Sequence, residues 1–262
     1  MVSTALSFLN LYRDPVVAGH TSRSDFRIQD LMHHEHPVSL YLVVRPADAA
    51  RLRPSIRLLL TQIVRRLTET MRFEEGRSVA DYRHRLLLLL DEFAALKRLA
   101  IIEEALAFMT GYGLKAYLIV QDLQQIHSAY GRDEGLVGNY HLRIAYAPNK
   151  LETAELLSRM AGQTTVVRQQ VTISGLRAGS GRPGQRSKSM QEVQRPLVIA
   201  DEVMRLPAAR KDAHGQILEP GHLLVFVAGQ APIHGRQILY FRDPAFQQRA
   251  QVGAPATSDR LV

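Results

Sequence analysis

No cysteine occurs among the 262 residues, which removes disulfides, thiolate catalysis, iron–sulfur clusters and cysteine-based zinc sites together. No apolar run approaches the roughly 18 residues that cross a bilayer or the core of a secretory signal. The densest, Leu86 to Leu90, is five residues long. Three chemical signatures are also missing. The phosphate-gripping G-x-x-x-x-G-K-[ST] occurs nowhere, so nucleotide binding by this chain alone lacks its usual cradle. H-E-x-x-H and G-x-S-x-G are absent as well, leaving zinc peptidase and serine hydrolase chemistry without support. No repeat of fixed period is present.

What remains is globular. Apolar residues make up 46% and charged residues 22%, a soluble-domain composition, and the length suits one to two domains. Basic residues number 33 against 25 acidic, a formal charge of +8. That excess favours polyanions such as nucleic acid or nucleotides as partners. All but five of the basic residues are arginine, a bias that a G+C-rich genome would also produce.

Residues 1–24 read as irregular, with Asp14-Pro15, Gly19 and Thr21-Ser22 as turn chemistry. Ser39 to Val44 is a β-rich apolar run closed by Arg45-Pro46, which predicts a buried strand. Ile56, Leu59, Leu60, Ile63, Val64 and Leu67 recur at helical spacing, with Pro54 suited to the first turn. Leu86 to Leu90 runs unbroken into Asp91-Glu92, as expected of a parallel strand covered on both faces. A helical pattern from Ala94 to Met109 stops at Gly111 and Gly113, and Ala116 to Val120 forms a second strand ending in Gln121-Asp122. This βαβ unit places Asp91, Glu92 and Gln121 at one sheet edge. A third repetition of the rhythm has Leu142 to Ala147 as strand and Glu152 to Met160 as helix, closed by Gly162. Residues 175–195, rich in Gly, Ser, Gln and Arg, predict a mobile basic loop. Leu223 to Ala228 and Gln237 to Phe241 are the last strands, and residues 248–262 a disordered tail.

An apolar strand delivering Asp-Glu suits nucleoside triphosphate hydrolysis. There the first acid holds Mg²⁺ through water and the second polarises the attacking water. Gln121, at the neighbouring tip, can sense a γ-phosphate. Each feature alone also fits a plain strand end. Gly179-Ser-Gly181-Arg-Pro-Gly184 matches G-x-G-x-x-G but follows no strand and contains Pro183, so it reads as linker. His33-His34-Glu35-His36 reads as a surface turn, because adjacent residues cannot converge on one ion. The basic loop lacks interleaved aromatics and therefore a stacking platform for bases.

Leu86-Leu-Leu-Leu-Leu-Asp-Glu-Phe-Ala-Ala-Leu96, Val120-Gln-Asp-Leu-Gln-Gln-Ile126, His141-Leu-Arg-Ile-Ala-Tyr-Ala-Pro148 and Glu152-Thr-Ala-Glu155 occur in that order. With Ser24-Asp-Phe26, Ser39 to Val44 and Pro196 to Leu206, they make most of residues 10–247 resemble the TraG/TraD coupling proteins of conjugative type IV secretion. The resemblance implies an α/β fold: part of a RecA-like P-loop NTPase domain, a mainly parallel sheet with flanking helices. It implies ATP and Mg²⁺ as cofactors and a homo-oligomeric ring at the cytoplasmic face of the bacterial inner membrane. The implied partners are the relaxase, the transferred DNA and the inner-membrane components of the secretion channel. Asp91 and Glu92 match the Walker B pair, Asp91 holding Mg²⁺, and Gln121 matches a sensor-like glutamine. Arg143, in the family's His-x-Arg stretch, is the candidate for reaching a neighbouring subunit's phosphates.

Full-length members carry, ahead of this region, membrane helices, the Walker A loop and most of an all-helical insertion. The expectation is therefore a soluble, cytoplasmic carboxyl-terminal fragment from a truncated or split gene. Residues 1–24 would follow the insertion, residues 25–247 would complete the motor domain, and the fragment would hydrolyse little ATP alone. The alternative is a nucleotide-independent module that binds DNA or a secretion partner.

Overall fold

A computed structural model describes residues 9–79, 81–132, 135–174 and 185–253. The chain divides into two compact units, Met1–Asn139 with Gly253–Val262, and Tyr140–Val252.

In the first unit the segment before residue 24 is more regular than its turn chemistry suggests. A 3₁₀ turn, Asn10–Arg13, leads into helix α1, Pro15–Thr21. Pro15 is preset for a first turn, and the Asp14 carboxylate accepts the amides of Val16 and Val17 as an N-cap. A single turn, α2, Asp30–His33, follows. The predicted strand at Ser39 to Val44 is not formed. The segment has no ladder partner, and Val43 is 90% exposed. β-branched and aromatic residues favour strands only where a neighbour supplies hydrogen bonds.

Helix α3, Ala49–Leu67, buries Leu60, Ile63 and Val64 on the predicted stripe. It begins five residues before Pro54, which lies inside it, so one intrahelical bond to the Ala50 carbonyl is given up. Asp48 ion-pairs Arg45 and Arg51 around the helix start, and Arg51 also pairs Asp14. A short hairpin of β1, Arg72–Glu74, and β2, Arg77–Val79, precedes strand β3, Leu86–Leu90. The predicted helix from Ala94 is broken in two: a 3₁₀ turn at Phe93–Leu96 and α4, Ala100–Ala105. Between them Lys97 adopts φ +58° and interrupts the ladder.

Strand β4, Leu114–Leu118, pairs with β3 in parallel, Leu86 opposite Leu114 through Leu90 opposite Leu118. Among the described residues this is the one parallel pair; the other pairings are antiparallel. The expectation that β3 is covered on both faces needs correction. Leu88 is 7% exposed, whereas Leu87 and Leu89 are 57% and 61% exposed. Alternate residues point to opposite faces, and only one face meets the core of Leu60, Val64, Phe93, Ile102, Met109 and Leu114. Helix α5, Leu123–Tyr130, and a turn, α6, Leu136–Asn139, complete this unit.

In the second unit β5, Leu142–Ala145, joins a three-stranded antiparallel sheet with β10, His222–Val227, and β11, Ile233–Arg236. It therefore does not extend the β3–β4 pair. Helix α7, Leu151–Ala161, ends at Gly162, whose φ of +84° suits a residue without Cβ. The basic loop is largely replaced by a ribbon: β6, Gln163–Ser174, pairs over its whole length with β7, Gln185–Pro196. Thr164, Thr165, Val166, Val167 and Val171 supply β-branched residues for one strand. Residues 175–184 of the predicted loop lie outside the described residues.

Helix α8, Ala200–Met204, packs Val203 with Ala154, Leu157, Leu224 and Phe226 in a separate core. A small hairpin, β8, Arg210–Lys211, and β9, Ile217–Glu219, precedes β10. The last hairpin is tighter than predicted, turning at Gly229 (φ +77°), so the final strand ends before Gln237. Helix α9, Pro244–Ala250, capped by Asp243, occupies the start of the predicted tail; residues 254–262 lie outside the described residues.

Candidate functional site

Strand β3 ends at Leu90, and Asp91-Glu92 follow at its tip; Gln121 follows β4 at the adjacent tip. The parallel register holds these tips level. Two backbone bonds extend it past the strands: Ile119 N donates to Leu90 O at 3.0 Å, and Phe93 N donates to Ile119 O at 3.0 Å.

The side chains meet. Gln121 Nε2 donates to Glu92 Oε1 at 2.6 Å, and Asp91 Oδ1 accepts from the Glu92 amide at 3.0 Å. All three side chains are exposed. Glu92 itself sits in the left-handed region, φ +47° and ψ +42°, which costs a residue with a Cβ about 1–2 kcal/mol. Phe93 holds it there from the other side, fully buried and stacked on Tyr130 with centroids 5.8 Å apart. The Tyr130 hydroxyl accepts from the Leu99 amide at 3.0 Å, and burial pushes this phenol's pKa up.

Gln121 is positioned from α5. Its amide donates to Gln125 Oε1 at 3.4 Å, and Asp122 caps the helix by accepting from Gln124 N at 2.8 Å. Gln125, Phe93 and Tyr130 are positioning residues that periodicity alone does not single out. The visible signal was Asp122 in front of an apolar helix, an N-cap pattern that fixes where the turn after β4 ends.

Arg143 belongs to the other compact unit. It lies there on β5, half-buried, opposite Phe226, and its Nε donates to Tyr140 O at 3.1 Å. His33 to His36 follow the reading of a surface turn: His34 Nδ1 accepts from the His36 amide at 3.2 Å. No group of three or more metal-ligating side chains occurs among the described residues.

Chemically, the cluster offers a hard carboxylate oxygen on Asp91, a second carboxylate on Glu92, and an amide that fixes the latter's orientation. Asp91 fits a water-bridged Mg²⁺, which prefers one or two carboxylates and retains its waters. The phosphates of a nucleotide are another matter, because no G-x-x-x-x-G-K-[ST] stretch exists in the chain to receive them.

A parallel strand pair flanked by helices, with two acids and a glutamine at its level tips, makes this unit part of an α/β fold. Solved structures share that fold. The bacterial conjugative coupling protein TrwB, in a form with sulphate, matches with a TM-score of 0.58 at 21% identity over 85% of this chain and 46% of that one. TrwB in complex with ADP and Mg²⁺ matches equally, at 20% identity.

The family described as Type IV secretory system Conjugative DNA transfer matches residues 1–261, and the chain belongs to it. A conjugal transfer protein TraG of Escherichia coli is 54% identical over all of this chain and 41% of its own length. Protein VirD4 of Agrobacterium fabrum is 28% identical over 94% of this chain and 34% of its own length. The chain thus spans about two fifths of the length of the TraG relatives it matches. No helix among the described residues is long and apolar enough to cross a membrane.

Proposed function

We propose that this chain is the carboxyl-terminal portion of a conjugal transfer coupling ATPase. The whole protein would link relaxase-bound DNA to a type IV secretion channel at the cytoplasmic face of the inner membrane, as a ring of like subunits. The observation that carries the reading is the Gln121–Glu92 hydrogen bond at two level strand tips. In this reading the carboxylate and the amide that orients it would face a γ-phosphate and its attacking water.

In this proposal Glu92 accepts the proton of the attacking water, Gln121 holds the Glu92 carboxylate in register, and Asp91 anchors the Mg²⁺ hydration shell. ATP and Mg²⁺, when bound, supply the phosphoryl group and the charge neutralisation that phosphoryl transfer requires. The phosphate cradle would come from polypeptide outside this sequence, which would cover the exposed Leu87–Leu89 face as a second layer. Support comes from the missing cradle, from the share of its relatives that the chain spans, and from the ADP and Mg²⁺ in the TrwB complex.

Adding the polypeptide that bears G-x-x-x-x-G-K-[ST], and measuring phosphate release from ATP, tests this. The chain alone should release phosphate at background rate, and the mixture well above it. A mixture that stays at background while still retaining DNA would select the nucleotide-independent binding module instead.

A further inference from the structure

The β6–β7 ribbon is unlike the other antiparallel pairs among the described residues. Twelve residues pair with twelve, from Gln163 opposite Pro196 to Ser174 opposite Gln185, a length of about 40 Å at ~3.3 Å per residue. From Val167 to Val171 and from Lys188 to Glu192 every residue is exposed. Over this stretch no core lies beneath either face.

The register separates two chemistries. Arg168 is opposite Gln191 and Gln170 opposite Ser189, and alternation puts these four on one face. That face continues toward the helices with the half-buried pair Val166 opposite Val193 and then Thr164 opposite Arg195. Its outer, exposed part carries amides, a hydroxyl and the Arg168 guanidinium, and the face has no carboxylate. The other face has Thr165 opposite Gln194, Val167 opposite Glu192, Gln169 opposite Met190, Val171 opposite Lys188 and Ile173 opposite Arg186. Each face thus carries two paired basic residues, and the sole acid of residues 163–196, Glu192, is on this second, more apolar face.

We infer that the polar face of the β6–β7 ribbon is a contact surface for double-stranded DNA. The inference rests on the reading that the whole protein handles DNA, and it assigns the contact to a surface. A B-form major groove, about 12 Å wide, admits a two-stranded ribbon. Arginine and glutamine are the side chains that hydrogen-bond base edges and phosphates there. A single strand offers no such groove and is held chiefly by stacking on aromatics, of which the ribbon has none between Gln163 and Pro196 outside residues 175–184, nor within that span by sequence. Six basic residues against one acid over residues 163–196 give the ribbon the charge that complements a polyanionic backbone.

Anisotropy of a labelled 20-base-pair duplex of arbitrary sequence, titrated with the full chain over a salt series, tests this. Arg168→Gln should weaken binding about five- to tenfold near 0.1 M salt and flatten the log–log salt dependence by about 1. Gln170→Ala with Gln191→Ala should weaken it roughly threefold further at unchanged slope. Lys188→Gln, on the other face, should cost less than twofold. Thermal melts confirm folding of these surface variants. Arg168→Gln binding like the parent, or Lys188→Gln costing as much, overturns the inference and leaves the ribbon a protein-packing element. A 20-nucleotide single strand bound as tightly, with the same Arg168 dependence, overturns the groove fit. A parent chain that does not bind duplex at all defeats this inference alone, because phosphate release in the completed enzyme is read separately.

Discussion

Gln121 Nε2 donates to Glu92 Oε1 across 2.6 Å, joining side chains 29 positions apart at the tips of two parallel strands. A carboxylate so held has one oxygen committed and one turned free. Replacing Gln121 with Ala should release it, lowering turnover of the completed enzyme about tenfold to hundredfold, within the range that a positioned base contributes. Binding of ATP should change little, so the loss should appear in kcat and not KM. A pure KM effect would remove Gln121 from the hydrolytic step.

Glu92 occupies a left-handed conformation that a glycine adopts freely. Glu92→Gly should therefore stabilise the chain by roughly 0.5–1 kcal/mol, the relief of strain exceeding the extra backbone entropy. Glu104→Gly in helix α4 is the control, expected to cost about 1 kcal/mol. Denaturant midpoints decide; a clear loss at Glu92 would mean that the strain is offset by bonds of the side chain.

Much of this arrangement was legible in the chain itself. Five consecutive leucines before Asp91-Glu92, and an apolar run ending at Gln121, sufficed to place three side chains at one edge, because parallel pairing leaves little choice of where such tips fall. The Glu92 backbone was not legible, since nothing in its neighbours' identities requires φ above zero. Ser39 to Val44 misled because a strand propensity is satisfied only by a partner, and none is present for it among the described residues. The β6–β7 ribbon misled in the opposite sense. Gln, Ser and Arg resemble linker composition, yet twelve cross-strand pairs form with Thr- and Val-rich Gln163–Ser174. Arg143 could be placed on a strand by sequence, but its antiparallel pairing with β10 depends on residues some 80 positions away.

Tyr130 links the site to the core through Phe93 and the Leu99 amide. Its pKa is raised by burial, so the folded state holds the phenolic proton more tightly than the unfolded state. The associated stability is complete below the ordinary phenol pKa of about 10 and is lost as pH rises through the folded value. Tyr130→Phe should cost about 1–2 kcal/mol near neutral pH by leaving the Leu99 amide unpaired. It should also flatten the alkaline limb of the stability curve. Urea melts from pH 8 to 11 test both; parallel curves for parent and variant would refute the linkage.

Leu87 and Leu89 lie on the uncovered face of β3, whereas Leu88 lies in the core. Leu88→Ala should destabilise the isolated chain by about 2–5 kcal/mol. Leu87→Ser with Leu89→Ser should change it by no more than about 0.5 kcal/mol, as exposed substitutions do. The same pair should abolish assembly with the cradle-bearing polypeptide, measured by co-elution. Normal co-elution of the double variant would place the missing layer elsewhere.

The most direct test of the hydrolytic assignment is a single-turnover quench with γ-labelled ATP on the completed enzyme, comparing the parent with Glu92→Gln. The account predicts that the variant still captures labelled ATP but cleaves it at least about a hundredfold more slowly, since an amide cannot accept the water's proton. Cleavage at the parent rate by Glu92→Gln would contradict it.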